Sequence, residues 1–422
     1  MTSPIWHPFT QHGLNEPIPM VSHAEGAAIF TADGRRIVDA ISSWWVTTHG
    51  HCHPRIMAAI AEQARHLDQI IFAGWSHEPA ETLGAGLVAL LPPQLAHVFF
   101  SDSGSTSVEV ALKMALGYWL NIGRPRHRII VMAGSYHGDT IGAMSVGARG
   151  VYNRAYAPLL FDVAPLPFPS PGNEQATLDE LERLCRSQES PAALIVEPLV
   201  LGAGGMLIYA PVTLAAMRAV CTRYGVLFIA DEVMTGWGRT GTLMACEQAG
   251  IVPDLLCLSK GLTGGSLPLA ATLATAEIFL AHRSTDRASM FFHSSSYTAN
   301  PIACAAANAN LAIWRDEPVL GRITDLAGRQ ARRLAALSSM GDVRNGRQIG
   351  TITAFEIGDP ASEYLSSIGP GLMALFARRG VLLRPLGNTV YVMPPYCIDD
   401  DDLDAVYDAI AEAVSTFGRS LA

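Results

Sequence analysis

The sequence predicts an α/β protein, with one large domain on a mainly parallel sheet flanked by helices and a second, smaller domain. Three observations carry that expectation. At 422 residues the chain exceeds one ordinary domain. Ala192-Ala-Leu-Ile-Val196, Gly225-Val-Leu-Phe-Ile-Ala230 and Leu255-Leu-Cys-Leu258 are continuous apolar runs, with a helical stretch near 211–224 between the first two. Runs buried on both faces are what parallel strands with helical crossovers require. After Arg315 the pattern changes to alternating helix and short strand, at 350–355, 381–385 and 390–393. The expected division is 1–50 for an N-terminal arm and part of the small domain, 51–314 for the large domain, and 315–422 for the C-terminal small domain.

Composition narrows the function. Hydrophobic residues make up 49% and charged residues 16% of the chain, as in a compact globular enzyme. A net charge of -9, with no lysine or arginine stripe, argues against nucleic acid as a partner. The most apolar window, 191–217, holds Glu197, three prolines and a Gly202-Ala-Gly-Gly205 break, so no membrane span is expected. The first nine residues lack the pattern of a signal peptide, and the expected compartment is cytoplasmic. Seven cysteines without paired spacing read as reduced core thiols.

In chain order, 29–39 reads as a hairpin around Asp33-Gly34. Trp44 and Trp45 follow; as strand neighbours they would face opposite ways, one to core and one to a cavity, or both pack in core. His49-Gly-His51-Cys52-His53 invites a metal, but alternation splits the ligands and no second Cys/His cluster completes a site, so no metal is expected. Pro54 opens a helix with Ile56, Met57 and Ile60 on one face. Strand 98–101 runs into Asp102-Ser-Gly104-Ser105-Thr-Ser and a helix, a phosphate cup at a helix N-terminus or a plain serine cap completed by Glu109. Lys113 is expected to pair with Glu109 one turn away. Strand 129–133 leads to Tyr136, placed to stack on a planar ring or to hold a loop corner. Five prolines in 157–171 read as a long irregular connection, followed by helix from Leu178 to Arg186. Strand 270–275, a serine turn at 293–297 and an alanine-rich helix from Pro301 complete the large domain. Arg384, at a strand edge beside Pro385, is a candidate clamp for a carboxylate or a surface ion-pair residue.

The chemistry converges on Lys260. The chain has only two lysines, Lys113 and Lys260, and lysine, unlike arginine, offers an amine that condenses with an aldehyde. The alternative is a lysine whose stem packs while its head reaches water. Asp231 ends the neighbouring apolar run, so both side chains are expected on one sheet edge, with Glu232 facing the other way. An amine, a carboxylate, an anion cup and an aromatic face are what pyridoxal 5'-phosphate requires.

The motifs then carry a resemblance. Ala230-Asp231-Glu232-Val-Met-Thr-Gly236-Trp-Gly-Arg239-Thr-Gly241, Pro253-Asp254, Ser259-Lys260-Gly261 and Gly264-Gly265 resemble the signature of class III aminotransferases of fold type I. Trp6-His-Pro-Phe9-Thr10, Ser43-Trp44-Trp45, Tyr136-His-Gly-Asp139-Thr and Arg384-Pro-Leu-Gly are similar to a branch that aminates a long keto acid. The resemblance implies a small α+β domain built from both chain ends, and a homodimer with shared active sites. It implies Lys260 as the residue bound to pyridoxal phosphate, Asp231 as partner of its ring nitrogen, and Tyr136 over the ring. Gly104 and Ser105 would hold the phosphate, with Ser295 and Ser296 coming from the other subunit. Trp44, Trp45, Ser294 and Arg384 would hold the keto acid, with Phe9, Asp139 and Tyr391 near the amine donor and Arg239 behind the site. Two departures stand out: Phe9 where tyrosine is common, and His293-Ser294-Ser295-Ser296 where many members read His-Gly-Pro-Thr. An ω-amino acid, diamine or lysine remains an alternative donor, and a non-catalytic pyridoxal phosphate binding protein the alternative from another class.

Overall fold

The computed structural model describes residues 3–358 and 366–418. Its centre is a seven-stranded sheet whose strands, β1 to β7 in chain order, are Leu95–Ser101, Ile129–Met132, Ala164–Leu166, Ala193–Val196, Leu227–Asp231, Leu255–Leu258 and Ala270–Thr275. They lie in the order β1-β7-β6-β5-β4-β2-β3. The pairs β6-β5, β5-β4, β4-β2 and β2-β3 are parallel, and β7 runs antiparallel to both neighbours. Every residue of β2, β4 and β6 is buried, which is why these segments read as unbroken apolar runs.

The helix Pro211–Tyr224 connects β4 to β5 and ends on Gly225 at φ 59°, a left-handed cap that glycine adopts without a Cβ penalty. Pro54 takes the first position of the helix Pro54–Gln63, with Ile56 buried. That helix packs against the alanine-rich helix Pro301–Asp316.

The proline-rich connection is not wholly irregular. Ala164-Pro165-Leu166 forms β3 at the edge of the sheet, a position where proline's missing N–H costs no ladder bond. The helix after it starts earlier than expected, at Glu174.

Both chain ends meet in a second sheet. Val21–Glu25, Ala28–Thr31 and Arg36–Asp39 form an antiparallel ladder, with Gly34 at φ 86° in the turn, and Arg36–Asp39 pairs in parallel with Val381–Leu382. Val343–Ile349, Ile352–Ile357 and Thr389–Val392 make a third, antiparallel sheet. Five of the seven cysteines are buried, whereas Cys52 and Cys397 are exposed, so the expectation of core thiols holds only for the five. Among the described residues no helix is long and apolar enough to cross a membrane.

Candidate active site

The parallel register of β5 on β6 sets Asp231 opposite Cys257, three residues before Lys260, so both functional side chains leave the same edge of the sheet. They line one cavity of about 200 Å³ with Trp45, Gly104, Ser105, Tyr136, His137, Gly138 and Glu197. Lys260 sits at φ 45° in the turn after β6. Loss of hydration pushes its amine below the ordinary lysine value, opposed by the negative charge of Asp231. The Trp45 ring lies 5.2 Å from Nζ.

Asp231 is fixed on both oxygens. His137 Nδ1 donates to Oδ2 at 2.7 Å and the Val233 amide to Oδ1 at 3.1 Å. Because a carboxylate only accepts, the His137 proton resides on Nδ1; its buried Nε2 has no partner among the described residues. Glu232 faces away, as the alternation of a strand demands, and accepts from the Ala245 and Cys246 amides.

Gly104 opens the helix Gly104–Asn121. Ser103 caps it, and Thr106 rather than Glu109 completes the box. Glu109 instead accepts from the Thr140 hydroxyl and the Gly142 and Ala143 amides. Lys113 therefore does not pair with it: its Nζ reaches the Phe292 carbonyl at 2.6 Å. The cup is tightly drawn. A Cβ on Gly104 would stand 2.6 Å from Val233 Cγ1, and one on Gly138 would stand 2.8 Å from the Ser105 Cα. The Asp139 amide donates to Ser105 Oγ at 3.1 Å, tying the Tyr136 loop to the helix start. Amine, anchored carboxylate, exposed helix N-terminus and Tyr136 together fit pyridoxal phosphate.

The tryptophans are not strand neighbours. Ser42–Trp45 is a cramped turn with positive φ at Ser42, Ser43 and Trp45 (53°, 61° and 67°). It buries Trp45 to 5% exposure and leaves Trp44 at 40%. Arg384 stacks over both Trp44 and Phe9, at 5.2 and 5.9 Å, and among the described residues no carboxylate pairs with it. Phe9 meets Trp44 edge-on at 5.3 Å, and Asp139 shares an open groove with Phe9. Tyr391 is buried behind Trp45, accepting from its indole N–H at 3.0 Å, so it bears on the cavity through that ring. Arg239, also buried, donates to the Pro394 and Thr47 carbonyls. Ser294, Ser295 and Ser296 do not line the lysine cavity of their own chain; the Ser295 hydroxyl donates to Asp102 beside the cup.

Sequence reasoning did not assign His137 or Glu197 to the site. Glu197 accepts from the Tyr136 and Gly202 amides, each at 2.9 Å. Burial raises its carboxyl to about 7, with His137 opposing the shift. A carboxyl raised on folding stabilises the fold below its unfolded value near 4.5, and that contribution is lost as pH rises through about 7. We therefore expect the cofactor-free protein to lose on the order of 2 kcal/mol between pH 4.5 and 7 from this group. Denaturant titrations of Glu197→Gln across that range should lack this component; a parallel pH dependence in variant and wild type would refute it.

Comparison with known proteins agrees with this geometry. The family model for class-III aminotransferases matches residues 10–414, and the chain belongs to that family. Members of the class work through pyridoxal phosphate. The adenosylmethionine-8-amino-7-oxononanoate aminotransferase of Synechococcus elongatus is 47% identical over 97% of both chains. The crystal structure of the enzyme of that name from Methanocaldococcus jannaschii superposes with a TM-score of 0.93 at 32% identity, covering 98% of this chain and 97% of that one. An amine transaminase from an uncultivated Pseudomonas species, solved with pyridoxal phosphate bound, gives 0.91 at 31% identity over 99% of both chains.

Proposed function

We propose that the protein transfers an amino group from S-adenosyl-L-methionine to 8-amino-7-oxononanoate, giving 7,8-diaminononanoate for biotin synthesis, as a cytoplasmic homodimer. The observation that carries the acceptor is Arg384: a guanidinium set over the rings of Trp44 and Phe9, without a carboxylate partner among the described residues, with Trp44 next in the chain to the cavity-lining Trp45. It suits the carboxylate of a long apolar keto acid, with Trp44 along the chain. Names borne by relatives at up to 47% identity support the donor.

Bound pyridoxal phosphate supplies an aldehyde for the amine and an electron sink for the bond broken at the substrate carbon. Lys260, with its lowered proton affinity, takes the proton from that carbon and returns it at the other end of the transfer. Asp231, oriented by His137, keeps a negative charge facing the ring nitrogen. The amides at Gly104 and Ser105 take the phosphate, and Trp45 and Tyr136 wall the cavity from water. Ser295 and Ser296 of each subunit complete the phosphate site of the other.

Purified enzyme given 8-amino-7-oxononanoate with each of several donors tests the reading. Turnover is expected with S-adenosyl-L-methionine. Turnover with lysine, a diamine or an ω-amino acid alone would replace the donor, a reading the amine transaminase likeness and the missing hydroxyl at Phe9 favour. An absorbance band that no amine shifts would leave only cofactor binding.

A further inference from the structure

We infer that Asp39 and His51 are positioning residues that hold the acceptor wall in its working shape, an inference that rests on the keto-acid reading above. Asp39 is fully buried at the end of the strand Arg36–Asp39. Its carboxylate spends both oxygens on the turn that follows: Oδ1 accepts from the Ile41 amide at 3.2 Å and Oδ2 from the Ser43 amide at 2.6 Å. Oδ2 also accepts from His51 Nε2 at 2.8 Å. The two residues thus bracket Ser42–Trp45 from its two ends in sequence.

That turn needs a bracket. Three of its four residues carry side chains at positive φ, a conformation L-residues keep only when their surroundings impose it. The same turn sets Trp45 against Lys260 and Trp44 against Arg384. Further ties run to the C-terminal strands. The Ser42 hydroxyl donates to the Met393 carbonyl, and Leu382, two residues before Arg384, pairs with Asp39 itself. Asp39 therefore ties Trp44 to the Arg384 segment from both sides of its residue, by its main-chain pairing with Leu382 and by its carboxylate on the Ile41 and Ser43 amides. His51 supplies the hydrogen bond that holds that carboxylate in line, and this is the use the histidine-rich motif finds.

The test compares holoenzyme variants. His51, with its side chain 15% exposed, tolerates truncation better than Asp39. His51→Ala is expected to raise KM for 8-amino-7-oxononanoate about tenfold, with kcat and the visible spectrum of the bound cofactor changed less than about twofold. His51→Gln, whose amide can donate to Asp39, should recover most of the loss. Asp39→Asn should match or exceed the alanine effect. Calorimetric binding of nonanoate, a carboxylate of similar chain length that cannot react, should weaken in parallel, independently of turnover. An unchanged KM and unchanged nonanoate binding in His51→Ala would overturn the inference, as would a loss of kcat and thermal stability alone. If Asp39→Asn fails to fold, the two His51 variants decide. Wild-type enzyme that binds nonanoate but never aminates the keto acid would sink the proposed function and leave the positioning role standing on the binding data.

Discussion

Lys260→Ala is expected to abolish transamination, by at least roughly 10⁴-fold, and to remove the visible absorbance of lysine-bound cofactor. No other lysine can take over. The second lysine, Lys113, is committed to the Phe292 carbonyl and His293. The arginines near the cavity cannot give up a proton. The Gly104–Ser105 helix start is untouched by the substitution, so cofactor should still be retained through its phosphate. Spectrophotometry on dialysed protein separates the two effects: bound phosphate ester without the wild-type band is the expected result. An unchanged visible spectrum, or turnover within tenfold of wild type, would remove Lys260 from its role.

Much of this site was legible in the sequence because its two central residues end adjacent parallel strands. Strand alternation set Asp231 and Glu232 on opposite faces; the cavity takes Asp231, while Glu232 turns to the Ala245 and Cys246 amides. A glycine-serine start to a helix was equally readable. What escaped notice lay in contacts across long separations. Neither His137, which reaches Asp231 across 94 residues, nor Glu197, which reaches Tyr136 across 61, belongs to a local pattern that names its partner. The turn at Ser42–Trp45 failed for another reason. Its left-handed residues are two serines and one tryptophan, not glycines, so propensity pointed to a strand, and only Asp39 and the C-terminal strands impose the observed shape. The edge strand β3 was masked by its own proline, which is tolerated because only one side of it is paired. Glu109 was assigned to Lys113 by helical spacing, yet three donors of the 140–143 segment outcompete one exposed ammonium.

Asp231→Asn carries the second large effect: kcat should fall on the order of 10²–10³-fold with the fold intact. The amide oxygen of asparagine can still accept from the Val233 amide, so the end of β5 keeps its geometry. What disappears is the negative charge that His137 holds in place. A bound cofactor would then find no anion at this place to keep its ring nitrogen protonated, and would be a weaker electron sink. His137 should report the change, because its Nδ1 proton no longer meets a carboxylate; the NMR resonance of that hydrogen-bonded proton should move or disappear. Near wild-type kcat would mean that another carboxylate serves the ring, and Glu197 is the other one lining the cavity. The double comparison is decisive on charge: if Asp231 is the partner, Glu197→Gln leaves the donor half-reaction within about tenfold of wild type while Asp231→Asn does not.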